Sequence, residues 1–374
     1  MHVLIVGGGI GGLTTALALA RAGHAVTLAE KVANFAPVGA GIVLAPNAAK
    51  ILLSLGVDLT ERGRELLSLD VVRADGLLLQ RLEPQRLSHE YGPSLALSRP
   101  ELHRALLSAM PKDVEVLLGS TVTDIDDTGD AVSVSINGTP RRFELVVGAD
   151  GLHSQVRERL LGPVPLRYSG VTCWRGILRC PGFTRAIEAW GGDTRVGVVP
   201  LLNDELYYYL VLAAPRRAPT LSWPDGFRAA FGHIRGEIAR LFDVLTEMPP
   251  LHHDLEELDA PVWGRGRVLL LGDAAHAMTP NQGQGAAMAI EDAIAAKRAL
   301  DQGAHGVLAR YTALRHVRVR KVQLDSRRLG AVAHWRSPLA RTLRDGLLRL
   351  LPTAATYGHY RQLIDPAFVL LRDS

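Results

Sequence analysis

The sequence predicts an α/β fold, in which the chain returns three times to a parallel sheet, interleaves it with a mixed or antiparallel sheet and closes with C-terminal helices. Three observations carry this expectation. A short apolar run, Val3 to Val6, leads through a glycine-rich turn into a helical pattern at Leu13, Leu17 and Ala20. Two later apolar runs, Phe143 to Val147 and Val268 to Leu271, also end in turns built from glycine and aspartate. Between them, from about Pro165 to Trp263, the pattern changes to an aromatic-rich alternation punctuated by Pro, Gly and Asn.

The opening segment says most. Gly7, Gly9 and Gly12 give the spacing G-x-G-x-x-G between a buried strand and a helix. The first glycine turns the chain, the second lets a pyrophosphate approach the backbone, and the third lets helix and strand pack closely. The helix start offers free N–H groups and partial positive charge. Gly23 and His24 end the helix, Ala25 to Ala29 form the second strand, and Glu30 follows eighteen residues after Gly12. An acid there accepts ribose hydroxyls and disfavours a 2′-phosphate, so FAD or NAD is expected over NADP at this site.

Composition narrows the class. At 374 residues, 47% of them hydrophobic, the chain has ample material for a large or double core. A net charge of +4, spread along the chain, suits an anionic substrate and does not mark a nucleic-acid binder. Cys173 and Cys180 have no partners at disulfide-framework or metal spacing, so no metal is expected and a reducing cytoplasm is the default. The N-terminus lacks the basic flank of a signal peptide, and no apolar run reaches membrane-spanning length.

In chain order, Pro37 to Ile42 reads as a small-residue loop that could lie against a flat ligand, and Pro46-Asn47 as the start of a helix through Leu55. Leu66 to Leu82 reads as a β excursion. Ser98 and Glu101 form a capping box, with Arg99 opposing the helix dipole as if something anionic lay nearby. Short strands are expected at 114–118, 121–125, 131–136 and 143–147, the last running into Gly148-Ala149-Asp150-Gly151, with Ser154 and Arg157 on the next helix. In the strand Leu206 to Leu212, Tyr207, Tyr209 and Val211 share one face and Leu206, Tyr208 and Leu210 the other. A helix is expected from Phe227 to Leu245, and His252 and His253 read as loop histidines. After Gly272-Asp273-Ala274-Ala275-His276, the turn Thr279 to Gly285 opens a helix. The remainder is helical and basic, and the leucines at 339, 343, 347 and 350 are expected to pack against the body rather than form a membrane-surface or dimer helix.

Together, Gly7-Gly8-Gly9-Ile10-Gly11-Gly12, Gly148-Ala149-Asp150-Gly151 and Gly272-Asp273-Ala274-Ala275-His276 with Pro280 and Gly283-Gln284-Gly285 resemble the single-component FAD-dependent aromatic hydroxylases. These are the para-hydroxybenzoate-hydroxylase-like flavoprotein monooxygenases, here most similar to the salicylate-hydroxylase and FAD-dependent urate-hydroxylase branch. Arg99 and Trp174-Arg175-Gly176 add to the likeness, which spans nearly the whole chain.

The resemblance implies a Rossmann-like FAD-binding domain of the GR2 type in segments 1–66, 97–164 and 264–300, a substrate-binding β-sheet domain in 67–96 and 165–263, and a C-terminal helical region, 301–374. It implies that Gly11 and its neighbours hold the FAD pyrophosphate, with Glu30 at the ribose and Lys31 beside it. Val43 and Arg99 would lie along the flavin and ribityl chain, and Val122 at the adenine. Asp273 would meet the pyrophosphate–ribityl region, and Gly283, Gln284, Gly285, Ala286 and Ala287 the pyrimidine end of the flavin, with Pro280 in their motif. Asp150 would support cofactor binding and the use of NADH or NADPH, for which no second fingerprint exists.

The implied activity is NAD(P)H- and O2-dependent hydroxylation of a small aromatic or heteroaromatic molecule through a flavin C4a-hydroperoxide. Rival readings are epoxidation of an alkene or indole, a dehydrogenase or oxidase without oxygen insertion, and a non-enzymatic flavin module. A halogenase is disfavoured because no W-x-W-x-I-P stretch occurs. Arg195 is the first choice to bind an anionic or carbonyl-bearing substrate. Tyr207 and Tyr209, or else Tyr208, are the choices to hydrogen-bond it. His276 is expected to fix its loop rather than act as a base, and Cys173 to line the pocket. The assembly is expected to be a monomer or homodimer.

Overall fold

A computed structural model describes residues 1–35, 39–245 and 249–372, so Pro37 and Val38 of the small-residue loop lie outside the described residues. The first sheet has six strands in the order Gly264–Arg265, Val268–Leu270, Leu145–Gly148, His2–Val6, Ala25–Ala29 and Glu115–Leu117. All neighbours are parallel except the outermost pair, Gly264–Arg265 with Val268–Leu270. Its central strands are covered on both faces, which is why they read as continuous apolar runs rather than alternating ones. Helices Ile10–Arg21 and Gly285–Leu300 pack together so closely that a Cβ on Gly11 would crowd Leu271 and Ala289.

The second sheet has seven strands: Leu251–Leu258, Leu166–Arg179, Glu205–Ala213, Thr194–Pro200, Ala186–Trp190, Leu69–Arg73 and Leu78–Leu82. The last two are the β excursion. Its back face buries Trp174, Val196, Val198, Leu206, Tyr208 and Leu210 against Phe227, Phe231, Ile238 and Leu241. Register puts Arg175 opposite Tyr209 and Gly197 opposite Tyr209, so Arg175, Arg195, Tyr207 and Tyr209 share the front face.

Four expectations need correction. The run 143–147 is divided: Thr139–Phe143 belongs to a three-stranded antiparallel sheet, and only Leu145–Gly148 joins the parallel one. The helix expected over 227–245 is two pieces, Asp225–Phe231 and the 3-10 turn Glu237–Asp243, because Gly232 caps the first and Gly236 turns the chain at φ +82°. His252 and His253 sit in a strand, where His252 stacks on Trp174 with ring centres 4.6 Å apart. Helix Pro338–Leu350 packs the other way round: its leucines face outward, while Arg344 and Asp345 are buried.

Candidate active site

Three motifs more than 100 residues apart in sequence meet at one edge because their strands are neighbours in register. Val6 lies opposite Gly148, and Gly148 opposite Leu270. Gly7, Asp150 and Asp273 therefore follow adjacent strand ends, at the carboxyl edge where ligands of open α/β sheets bind. A Cβ on Gly7 would stand 2.5 Å from the Ala149 carbonyl oxygen, and one on Gly12 would collide with the Gly7 carbonyl. Gly9, Gly283 and Gly285, in contrast, have nothing within 4 Å of a Cβ position, so open space lies beside them.

Both helices that start at this edge, Ile10–Arg21 and Gly285–Leu300, lack a side-chain cap and an acid in the first turn. Their leading N–H groups stay available to an anion. The Glu30 carboxylate accepts from the Gly8 and Val32 amides at 2.5 and 3.0 Å, beside exposed Lys31. Ser120 donates its amide to the Glu30 carbonyl at 2.8 Å, two residues before Val122, whose side chain is buried. Val43 and Tyr207 both pack against the small core of Leu66, Ala96, Ala186, Val199 and Leu201. Asp150 is spent on its own loop, accepting from Ser154 Oγ and the Gln155 and Val156 amides at 2.5, 2.8 and 3.0 Å.

Arg99 has an exposed side chain with much protein around it, and no carboxylate among the described residues pairs with it. Burial lowers its pKa, and Arg175 lowers it further, while Tyr207 and Asp273 oppose them. Asp273 is exposed at the start of its short helix. These groups fit FAD: uncapped helix ends and open glycines for pyrophosphate and flavin oxygens, an acid at the ribose end, and an unpaired cation for a flat electron-rich ring.

Beneath the turns lies a network that the sequence did not disclose. His276, 1% exposed, donates Nε2–H to Asp292 at 2.6 Å, and the same carboxylate oxygen accepts from the Gly272 amide at 2.9 Å. Arg315 then binds Asp292 and Glu291, each at 2.7 Å, and Asn47 ties Glu291 to Gln284 at 2.8 and 3.0 Å. His276 thus fixes its loop, as expected, through an acid pair whose only sequence signal was its place in an alanine-rich helix.

On the front face of the second sheet, Arg195 is not a free cation. It is 4% exposed and donates Nε–H and Nη2–H to one Glu188 oxygen at 3.0 and 2.6 Å, and Nη1–H to Asn281 at 2.5 Å. Tyr209 donates its hydroxyl to the other Glu188 oxygen. The charge of Arg195, the residue expected to bind an anionic or carbonyl-bearing substrate, is thus matched by a buried carboxylate that sequence reasoning missed. Tyr208 lies on the back face, away from Arg195 and Tyr209, whereas Tyr207 packs over Gly41. Burial raises Tyr207 to about 12 and lifts Tyr209 well above the ordinary phenol value, Glu188 adding to the latter, so both phenols keep their protons. Burial likewise lifts the Cys173 thiol to about 11. His334, also missed, donates Nδ1–H to the Gly330 carbonyl, and burial followed by Arg195 pushes it down to about 4. Among the described residues no cluster of three His, Cys, Asp or Glu side chains could hold a metal, and no helix is long and apolar enough to cross a membrane.

The fold and the glycine-lined edge define a flavin-binding oxidoreductase. The family model for the FAD binding domain matches residues 1–325, and the chain belongs to the FAD-dependent monooxygenases of the aromatic hydroxylase family, with FAD as cofactor and NAD(P)H as co-substrate. It is 38% identical to the 2-heptyl-3-hydroxy-4(1H)-quinolone synthase of Pseudomonas aeruginosa (strain UCBPP-PA14), with 97% of each chain covered. It is 33% identical to the 6-hydroxynicotinate 3-monooxygenase of Pseudomonas fluorescens over 86% of this chain and 89% of that protein. Klebsiella pneumoniae HpxO, solved with FAD and uric acid, superposes with a TM-score of 0.90 at 26% identity, covering 98% of this chain and 97% of that one.

Proposed function

We propose that the chain hydroxylates an uncharged, electron-rich nitrogen heteroaromatic that carries a ring oxo or hydroxy group, of the 4(1H)-quinolone type. The observation that carries this reading is the Glu188–Arg195 pair: with the arginine's charge matched in a buried site, an anionic substrate would meet no uncompensated cation from that strand. The 38% identity to a quinolone synthase supports the same class.

FAD, when bound, supplies the transfer of reducing equivalents from NADH or NADPH to O2 and of one oxygen atom to the substrate. The chain's own residues do the rest. Gly7, Gly9, Gly11 and Gly12 would present the first uncapped helix start to the pyrophosphate, Glu30 would take the ribose hydroxyls, and Lys31 and Val122 would flank that end. Asp273 would meet the pyrophosphate–ribityl region and Val43 and Arg99 would lie along the flavin and ribityl chain, while Asp150 holds its own loop. The second uncapped start, with Gly283, Gln284, Gly285, Ala286 and Ala287 behind Pro280, favours negative charge on the flavin pyrimidine. Tyr207 and Tyr209 wall the substrate and keep water out, and their protonated phenols position it rather than accept its proton. The two free, buried cysteines support a cytoplasmic location.

The test is NADH and NADPH consumption by the holoenzyme with a 2-alkyl-4(1H)-quinolone and, separately, with salicylate. Stimulation by the quinolone with a product carrying one more oxygen is expected. Stimulation by salicylate alone would overturn the uncharged-substrate reading.

A further inference from the structure

Helix Pro338–Leu350 turns its apolar side to solvent. Leu339, Leu343, Leu347 and Leu350 follow one another along that side, and Leu339 and Leu350 are 84% and 80% exposed. Leu351 continues the stripe, and Trp335 stands partly exposed just before the helix. The inversion has a local cause. Arg344 points inward, donates to the Ala333 carbonyl at 2.9 Å, pairs with Asp345 at 2.7 Å and lies over the Trp190 ring at 5.0 Å. A helix seated by its polar side must present its leucines elsewhere.

The charge of the stripe's own segment is nearly of one sign. From Trp335 to Leu351 the sequence holds four arginines (Arg336, Arg341, Arg344 and Arg349) and one acid, Asp345, whereas Arg327, Arg328 and Arg361 beyond it are already paired with acids. Asp345 is buried against Arg344, so it offers nothing to an approaching surface. Arg336 and Arg349 are exposed at opposite ends of the stripe. A second copy docked antiparallel on this face would bring Arg336 of one helix against Arg349 of the other, with no exposed carboxylate on either helix to offset them. An anionic lipid surface reverses that: phosphates meet the arginines, acyl chains receive the leucines, and Trp335 suits the headgroup level. With no helix among the described residues fit to cross a membrane, the helix would lie in the plane of the surface.

We propose that the face made by Trp335, Leu339, Leu343, Leu347, Leu350 and the arginines beside them is a reversible docking surface for anionic phospholipid bilayers. The helix is the anchor and the rest of the chain stays outside the lipid. Because Arg344 rests on Trp190, whose indole N–H donates to Glu188, docking seats the second sheet next to the bilayer.

The experiment is flotation of the holoenzyme with vesicles of phosphatidylcholine alone and of phosphatidylcholine with phosphatidylglycerol, at low and high salt. Binding only to the phosphatidylglycerol vesicles, weakened by salt, is expected. Leu343→Gln/Leu347→Gln should reduce it about tenfold or more, and Arg336→Gln/Arg349→Gln should reduce it while flattening the salt dependence. Flavin absorbance and melting temperature, unchanged in these surface variants, establish that they are folded. Absence of flotation at low salt, or flotation indifferent to the leucine changes, overturns the proposal. So does a dimer in sedimentation that the leucine changes dissolve, since the face would then belong to a second copy.

Discussion

One oxygen of Glu188 accepts two N–H groups from Arg195, at 2.6 and 3.0 Å, while the other accepts the Tyr209 hydroxyl. The two charges sit in a region that water barely reaches, so each depends on the other. Arg195→Met should therefore destabilise the protein by about 3–5 kcal/mol, leaving a buried carboxylate without its cation. Glu188→Gln/Arg195→Met should recover most of that loss, because it removes both charges together. Urea melts of the four-member cycle measure this, and flavin absorbance should persist in every member. A single variant as stable as the parent would contradict the interdependence.

The glycines of the first turn should separate by role. Gly9 has extended backbone and open space around a Cβ, so Gly9→Ala should change the melting of flavin-free protein by less than about 1 kcal/mol. It should still weaken FAD binding about tenfold or more, because the methyl enters the pyrophosphate path. Gly12→Ala drives a Cβ into the Gly7 carbonyl and should cost about 3 kcal/mol before any flavin is added. Thermal melts without flavin and fluorescence titrations with it distinguish the two effects.

Acid should loosen the turn after the Val268–Leu270 strand. Burial alone would raise Asp292, but His276 and Arg315 more than reverse this and hold it at about 2, against an ordinary 3.8. A carboxylate depressed in the folded state stabilises the fold above its unfolded value and loses that contribution as pH falls through the folded one. The contribution, about 2 kcal/mol, should be complete above roughly pH 4 and fade toward pH 2. Asp292→Asn should be less stable at neutral pH and show a shallower decline over that interval in urea midpoints. Parallel declines would exclude Asp292 as the source.

The cofactor edge was legible because it is written locally. Gly7, Gly9, Gly12 and Glu30 all lie within one strand–turn–helix–strand, where spacing alone carries the geometry. Glu188 was not legible, since its importance arises from sheet register. It lies opposite Gly197, whose missing side chain lets the Tyr209 ring lean across to the carboxylate. No spacing in the sequence connects residues 188, 197 and 209 in that way. The leucine helix shows a different limit. Its periodicity revealed two faces, but which one packs was decided by Arg344 finding Asp345 and Trp190. In the divided segment 227–245 the signals were present as Gly232 and Gly236, and the apolar spacing around them hid the break.

The order in which the parallel sheet is filled has a consequence for biosynthesis. The strand at 145–148 is the bridge between the first strand of the chain and the one at 268–270, and of the acids under the last turn Glu291 and Asp292 share Arg315, which joins Arg318 on the first and His276 on the second. A ribosome must thus have made most of the polypeptide before the prosthetic group has a complete berth. Yellow colour in a purified preparation consequently reports on the integrity of distant parts of the chain at once, and premature termination ahead of residue 315 should yield colourless product.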